Sequence, residues 1–320
     1  MPELPEVESV RRSLEPHVVG RRVERVELRR ADVVVGEASP GALLEGQRVV
    51  SLERRGKQLA IVGERGVIVA QLGMTGTLAW LGAARQGAPA PERDVADLSN
   101  ARHTHVLWTL DDASRIAFHD PRRFGGLTAI AGPDHLDALR TRWNDLGPDA
   151  LGITGDELRR ALGASARAIK PALLDQRVLA GVGNIYADEA LFRSAIHPLR
   201  RARRLRDVEW EALAQAVRAV LAQAIDAGGS TLRDFVDADG RAGDYRRAHQ
   251  VYGRAGQACV RCGGLLRGVV LQQRACVFCA VCQPRRPSGR GHPKSSGGRG
   301  DQLGSPRQHR SSRAPKRGSA

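Results

Sequence analysis

An α+β protein of two domains is the fold class this sequence predicts, and three observations predict it. The chain has 320 residues, more than one hydrophobic core usually holds. Up to about residue 132 it reads as one amphipathic helix followed by many short strands; from about 133 the apolar spacing becomes helical. All five cysteines then fall between Cys259 and Cys282, which sets a separate metal-binding segment apart. The divisions that follow are 1–132, 133–250, 251–284 and a terminal stretch, 285–320.

The elements justify this reading in order. Residues 5–19 form the first helix: Val7, Val10, Leu14 and Val18 recur at near-helical spacing, and Gly20 stops it. Short β-type runs follow at Arg22–Leu28, Gln47–Leu52, Gln58–Val62, Val67–Leu72, Thr77–Leu81, His103–Leu110, Arg115–His119 and Gly126–Ile130. Gly, Asp and Pro separate them. Many short strands after one helix make the first domain a β-sandwich or a barrel-like fold. Helical patterns then cover Leu136–Leu146, Gly155–Leu162, Ile169–Leu174, Asn184–Phe192 and Asp207–Ala227. In the last of these, Trp210, Leu213, Val217, Val220, Leu221 and Ile225 share a face. A Gly/Asp/Arg-rich loop, Asp237–Arg247, leads to the cysteines. Beyond Gln283 the Pro/Ser/Gly/Arg composition predicts disorder, because it holds too little apolar surface to offset the entropy of ordering.

Composition narrows the function classes. The net charge is +15, of which residues 285–320 carry +9. A basic body points to a polyanionic partner such as nucleic acid. No apolar run reaches the roughly 18–20 residues of a membrane span. The start, Met1–Glu8, lacks the basic and apolar regions of a signal peptide, so the expected location is the cytoplasm. The cysteines cluster, which points to metal rather than to disulfides. Cys259-x2-Cys262 and Cys279-x2-Cys282 form a four-thiolate pattern suited to one structural zinc. Cys276-x2-Cys279 is formally a competing pair; the later pair is taken because Cys282 otherwise has no role.

Several motifs occur in a fixed order. They are Met1-Pro2-Glu3-Leu4-Pro5-Glu6-Val7-Glu8, Arg55-Gly56-Lys57, Leu72-Gly73-Met74-Thr75-Gly76, Asp120-Pro121-Arg122-Arg123-Phe124-Gly125, Leu146-Gly147-Pro148, Gly181-Val182-Gly183-Asn184-Ile185-Tyr186, Gln250-Val251-Tyr252-Gly253-Arg254 and Gln273-Arg274. Together they resemble the formamidopyrimidine-DNA glycosylase family over residues 1–283. The resemblance implies an N-terminal β-sandwich carrying a catalytic helix, then a helix–two-turns–helix domain and a zinc ribbon. It implies a monomer acting on damaged double-stranded DNA, excising oxidised purines such as 8-oxoguanine and formamidopyrimidines, with β,δ-elimination at the abasic site. Leu4 favours the purine branch over the endonuclease VIII-like alternative, which prefers oxidised pyrimidines. A non-catalytic zinc-containing DNA-binding protein is the other alternative, and the joint presence of Pro2, Glu3 and Lys57 argues against it.

Site roles follow from the resemblance. Pro2, freed by removal of Met1, is the nucleophile. Its α-amine has a reference pKa of about 7.7–8, so part of it is neutral near pH 7.5. Glu3 protonates the opening deoxyribose, and Lys57 is a second acid/base. Arg274 grips phosphate and assists elimination. Met74, Arg122 and Phe124 fill the void left by a flipped nucleotide. Asn184, at a glycine-rich helix start, binds phosphate, and His103 contacts DNA. Taken singly, these residues read otherwise: Pro2 as a helix-start residue, Lys57 as a solvated lysine, Met74 and Phe124 as core. Glu6 stays open between anchoring the N-terminus and facing the helix dipole. The Asp237–Arg247 loop resembles the segment covering the flipped base.

The sequence departs from the family pattern at three places. Ser165 stands where a lysine often precedes the Ile-Lys-Pro motif, with Arg167 nearby and Lys170 inside the motif. Cys276 replaces a common threonine. The stretch after Gln283 is additional.

Overall fold

The computed structural model describes residues 2–82, 95–232 and 235–285. Apart from Arg285, the terminal stretch lies outside them, and with it the expectation of disorder there. Helix α1 (Leu4–Val18) leads into β1 (Val23–Leu28), β2 (Val34–Val35), β3 (Val49–Arg55), β4 (Gln58–Gly63), β5 (Gly66–Gln71), β6 (Thr77–Leu81), β7 (Thr104–Leu110), β8 (Arg115–His119) and β9 (Gly126–Ala131). They form two sheets, β1-β7-β8-β6 and β2-β9-β5-β4-β3. All pairings are antiparallel except β2 with β9. Of the two sequence options this is the sandwich. Its filling includes Leu52, Leu59, Ile68, Leu78, Trp108 and Phe118, and the Trp108 indole N–H donates to the Leu43 carbonyl (3.0 Å).

Strands β4 and β5 are buried along nearly their whole length, as expected of continuous apolar runs covered on both faces. The second cover is α2 (His135–Asn144). Its Leu139 packs on Ala60, Val62, Val67 and Val69, and the Trp143 indole N–H donates to Gln58 Oε1 (3.0 Å). A helix that follows residue 132 in sequence therefore lies against the first domain's sheet.

The second core gathers α3 (Gly155–Leu162), α4 (Ile169–Leu173), α5 (Asn184–Arg193) and α6 (Asp207–Asp226). Trp210, Leu213, Val217, Val220, Leu221 and Ile225 of α6 all face it. Thr154 caps α3, accepting from the Glu157 N–H (3.2 Å) while Glu157 Oε2 accepts from the Thr154 N–H (2.9 Å). The hairpin of β10 (Arg267–Leu271) and β11 (Arg274–Phe278) turns at Gln272 and Gln273, both with positive φ.

Two carboxylates at the middle of α5 fasten this hairpin to the helices. Glu189 accepts from the N–H groups of Gln250, Val251 and Tyr252 at 2.8–3.1 Å. Asp188 accepts from the Val277 N–H (3.0 Å) and pairs with Lys170 Nζ (2.7 Å), which also donates to the Ala275 carbonyl (2.7 Å). Lys170 and Asp188 are each 1% exposed, so Lys170 is a structural cation rather than a surface contact. Burial raises the pKa of Asp188 to about 6 against the opposing pull of Lys170. Lys170→Met should cost about 3–5 kcal/mol by stranding Asp188, whereas Lys170→Met with Asp188→Leu should recover part of the loss, the Val277 N–H being left without its acceptor. Denaturant unfolding of both variants checks this.

Candidate active site

The two cores meet along α1. Val7, Val10, Leu14 and Val18 enter the sandwich core, while Leu4 enters the helical core. Pro2 is consequently buried at the seam. Glu3, 3% exposed, directs its carboxylate at the start of α5, accepting from the N–H groups of Gly183 (2.7 Å) and Ile185 (3.0 Å). These are donors that a helix start leaves without intrahelical partners. Leu4 N–H donates to the Gly181 carbonyl (3.1 Å). A Cβ at Gly181 would lie 2.4 Å from Leu4 Cδ1, and one at Gly183 would lie 2.3 Å from Glu3 Cδ. The close approach that these glycines permit is that of α1 and the Glu3 carboxylate. Asn184 opens α5 with its side-chain Oδ1 buried and unpartnered among the described residues.

Glu6 does both things the sequence leaves open. Its Oε2 accepts from the Glu3 N–H (2.8 Å), closing the first turn of α1. Its Oε1 accepts from Tyr186 Oη (2.5 Å) and the Ser230 N–H (2.7 Å), tying that turn to α5 and to the segment after α6. Burial, reinforced by the Glu3 charge, raises the Glu6 pKa. Ser230 Oγ in turn meets His249 Nε2 (3.0 Å). Burial, aided by Arg246, lowers His249 to about 4, so this imidazole is neutral at neutral pH.

A cavity of about 290 Å³ opens beside Pro2, walled by Lys57, Gln71, Gly73, Phe124 and Gln176 among others. Lys57 sits in the β3–β4 turn. That turn is fixed by Asp149, which accepts from the Gly56 N–H (2.9 Å) and from Arg54 Nη1 (2.7 Å). Burial lowers the Lys57 pKa; Arg274 adds to this while Glu3 and Glu6 oppose it. Glu3, Glu6 and the exposed Arg274 are thus within electrostatic reach of Lys57, which shares the cavity wall with Pro2. Gln176 holds the floor, donating to the Leu174 and Val182 carbonyls and accepting from the Gly181 N–H. Nothing in the sequence marks Gln176 beyond its place between two helical patterns.

At the rim Met74 is 43% and Phe124 60% exposed, so neither is core. The Arg122 guanidinium lies 4.9 Å from the centre of the Phe124 ring. Asp120 fixes this rim. Wholly buried, it accepts from Thr75 Oγ1 (2.6 Å), the Gly125 N–H (2.8 Å) and the Arg122 N–H (3.3 Å). It thereby joins the loop of Met74 to the loop of Phe124. Gly73 (φ +59°) allows the two backbones to touch, since its Cβ would be 2.3 Å from Gly125 N. His103 is half-buried below, its carbonyl accepting from the Asp120 N–H (3.0 Å) and its ring edge-on to His119.

From the helical side, the segment 235–241 returns to the sandwich. Ala238 and Phe235 join its core, and the Ala238 carbonyl accepts from the Trp80 N–H (2.9 Å). His17 stacks on Trp80 with ring centres 3.8 Å apart and meets Asp239 Oδ1 at 3.0 Å.

The four sulfurs of Cys259, Cys262, Cys279 and Cys282 lie within 4.8 Å of one another. The Cys259–Cys282 and Cys262–Cys279 separations are 3.8 and 3.5 Å. Tetrahedral ligands at Zn–S distances of about 2.3 Å would stand about 3.8 Å apart, so the cluster fits a metal ion of that kind. Cys276 is excluded from it. Wholly buried, it faces Asp188 and Lys170, and burial followed by the Asp188 charge pushes its thiol up to about 12.

Comparison with known proteins agrees with this architecture. The family model of the formamidopyrimidine-DNA glycosylase N-terminal domain matches residues 1–127, and that of the formamidopyrimidine-DNA glycosylase H2TH domain matches residues 146–236. The formamidopyrimidine-DNA glycosylase of Stutzerimonas stutzeri (strain A1501) is 42% identical over 288 residues, covering 88% of this chain and 100% of the relative. The MutM (Fpg) protein of Thermus thermophilus superposes with a TM-score of 0.74 at 39% identity, covering 89% of this chain and 100% of that one. The Lactococcus lactis Fpg, solved with DNA containing an abasic site, gives 0.75 at 30% identity, covering 88% and 99%.

Asp120→Ala should leave both loops without their shared acceptor, at a cost of about 1–3 kcal/mol. Amide exchange at Gly125 and Arg122 should accelerate selectively. Uniform acceleration across the sandwich would show instead that Asp120 serves the whole domain.

Proposed function

The chain belongs to the formamidopyrimidine-DNA glycosylase family, and for this member we propose a base-excision mechanism built on Pro2. The enzyme is a DNA glycosylase for oxidised purines. The observation that carries the mechanism is the burial of Pro2 at a cavity wall that it shares with Lys57, the lysine whose charge feels Glu3 and Arg274. With Met1 removed, Pro2 is a secondary amine. Its nitrogen attacks the sugar C1′, the bond from C1′ to the damaged base breaks, and the base leaves. Glu3 takes up the proton that the Pro2 nitrogen loses and delivers it to the ring oxygen as the bond from C1′ to that oxygen breaks and the deoxyribose opens. The product is an iminium joining Pro2 to the sugar, an electron sink for the next step. Loss of a C2′ proton then expels the 3′ phosphate, and a further elimination expels the 5′ phosphate. Lys57, its pKa lowered by burial, exchanges protons in these steps more readily than a solvated lysine. Arg274 balances the leaving phosphate.

The rim supports extrusion of the nucleotide. Met74 and Phe124 present apolar surface to solvent, and Arg122 lies against the ring. Inserted into the duplex, they replace the stacking that the flipped nucleotide gives up. Asn184 and His103 complete the DNA contacts in this reading, with damaged double-stranded DNA as the partner of a monomeric enzyme. Borohydride reduction during reaction with a duplex carrying 8-oxoguanine opposite cytosine should trap one covalent complex. Peptide mapping should place the DNA on Pro2; a cross-link on Lys57 would refute the assignment. Blocking Met1 removal should abolish strand cleavage.

The metal we assign is one zinc, held by Cys259, Cys262, Cys279 and Cys282. With four protein ligands it has no open position for water and acts structurally, supporting the hairpin that carries Arg274. Metal analysis should give one zinc per chain. Cys276→Ser should retain it, and Cys279→Ser should lose it together with DNA binding. Loss in the Cys276 variant would overturn the ligand set.

A further inference from the structure

A second basic site lies in the segment that follows α5 in the chain. Leu199, Arg200, Arg201, Arg204 and Arg285 surround a cavity of about 570 Å³. The segment is held rigidly. Ile169 N–H donates to the Arg200 carbonyl (2.8 Å), Ala202 N–H to the Arg167 carbonyl (3.0 Å) and Arg203 N–H to the Ser165 carbonyl (2.9 Å). Ala202 and Leu205 are buried, which leaves Arg201, Arg203 and Arg204 exposed.

The charges are unevenly compensated. Glu209 takes Arg200 (2.5 Å) and Arg206 (3.2 Å). Among the described residues, Arg201, Arg204 and Arg285 have no ion-pair partner. Arg285 stands close enough to His197 to add to the burial that lowers its pKa. Three guanidiniums around one hollow repel each other, and an anion placed among them relieves that repulsion. The fork of donors on each favours an anion with paired oxygens, such as a phosphate.

We propose that this hollow is a second phosphate site, which takes a phosphodiester of the DNA backbone outside the lesion cavity. The choice of DNA rests on the glycosylase reading. The segment follows α5, whose 10 residues span about 15 Å from Asn184. The anchor also stands beside Ser165 and Arg167, where the family's frequent lysine is missing; the arginines supply cationic contact by another route.

The test uses the full chain with R201A/R204A and R201K/R204K. Binding to undamaged duplexes is measured across a salt series, with one duplex just covering the lesion cleft and another about a helical turn longer on each side. On the longer duplex, the alanine variant should lower the slope of log affinity against log salt by about one unit for each phosphate no longer neutralised. The lysine variant should keep most of the slope and bind more weakly. The short duplex should show no difference. In parallel, melting is followed with inorganic phosphate against matched chloride. A phosphate-dependent rise that disappears in the alanine variant without a slope change would keep the site but assign it to a free phosphate-bearing molecule. No change in either measurement overturns the proposal. Single-turnover excision, run alongside, should be the same in both variants and the wild type; an inactive wild type would instead count against the glycosylase reading.

Discussion

The buried carboxylate of Glu3 at the start of α5 is the interaction on which the site depends. It joins the first residues of the chain to a helix 180 positions later, through two short bonds from backbone N–H groups. These N–H groups have no partner within the helix, and the positive end of the helix dipole favours a carboxylate beside them. Once Glu3 is fixed, Pro2 has little freedom. The Leu4 N–H, the Glu6 carboxylate and the apolar stripe of α1 all lock in the same register. Pro2 is therefore placed by the packing of two cores, since α1 contributes Leu4 to one and four valine and leucine side chains to the other.

This explains why the fold is more legible in the sequence than the site. Periodicity locates Gly155–Leu162, Thr77–Leu81 and Arg115–His119 at their observed bounds, and most other elements within two residues. Where one residue pattern meets one local environment, hydrophobic spacing is sufficient. It fails to mark β2, which has only two residues and exists because β9 runs beside it. It also cannot assign α2 to a partner. The apolar residues of that helix are as compatible with a helical bundle as with the back of a sheet, and only the continuous runs of β4 and β5 imply that a cover is needed.

At the site, motifs single out Pro2, Glu3 and Lys57 but not the residues that support them. Asp120 is visible as part of a motif, yet its hold on Thr75 requires two loops 45 residues apart to meet. Gln176 has no local signature. The glycines around Val182 suggest room for phosphate, whereas the close approach they permit is that of Leu4 and Glu3. A glycine reports that something comes near the backbone, without identifying what. Lys170 gives the same lesson: a lysine in a motif beside a suspected DNA contact is drawn inward because Asp188 of α5 waits there.

The shifted ionisations around the seam have a common origin. Burial lowers Lys57 and raises Glu6, in each case disfavouring the charged form. A site with these properties gains little stability from its own polar groups, because desolvation offsets much of their attraction. The apolar contacts of α1 supply the difference. A helix that served catalysis alone could end after its first turn; this one continues for 15 residues and runs most of its length along the sandwich core. The length of α1 thus serves its first turn: Pro2, Glu3 and Glu6 are held buried there by a long apolar face, filled by Val7, Val10, Leu14 and Val18.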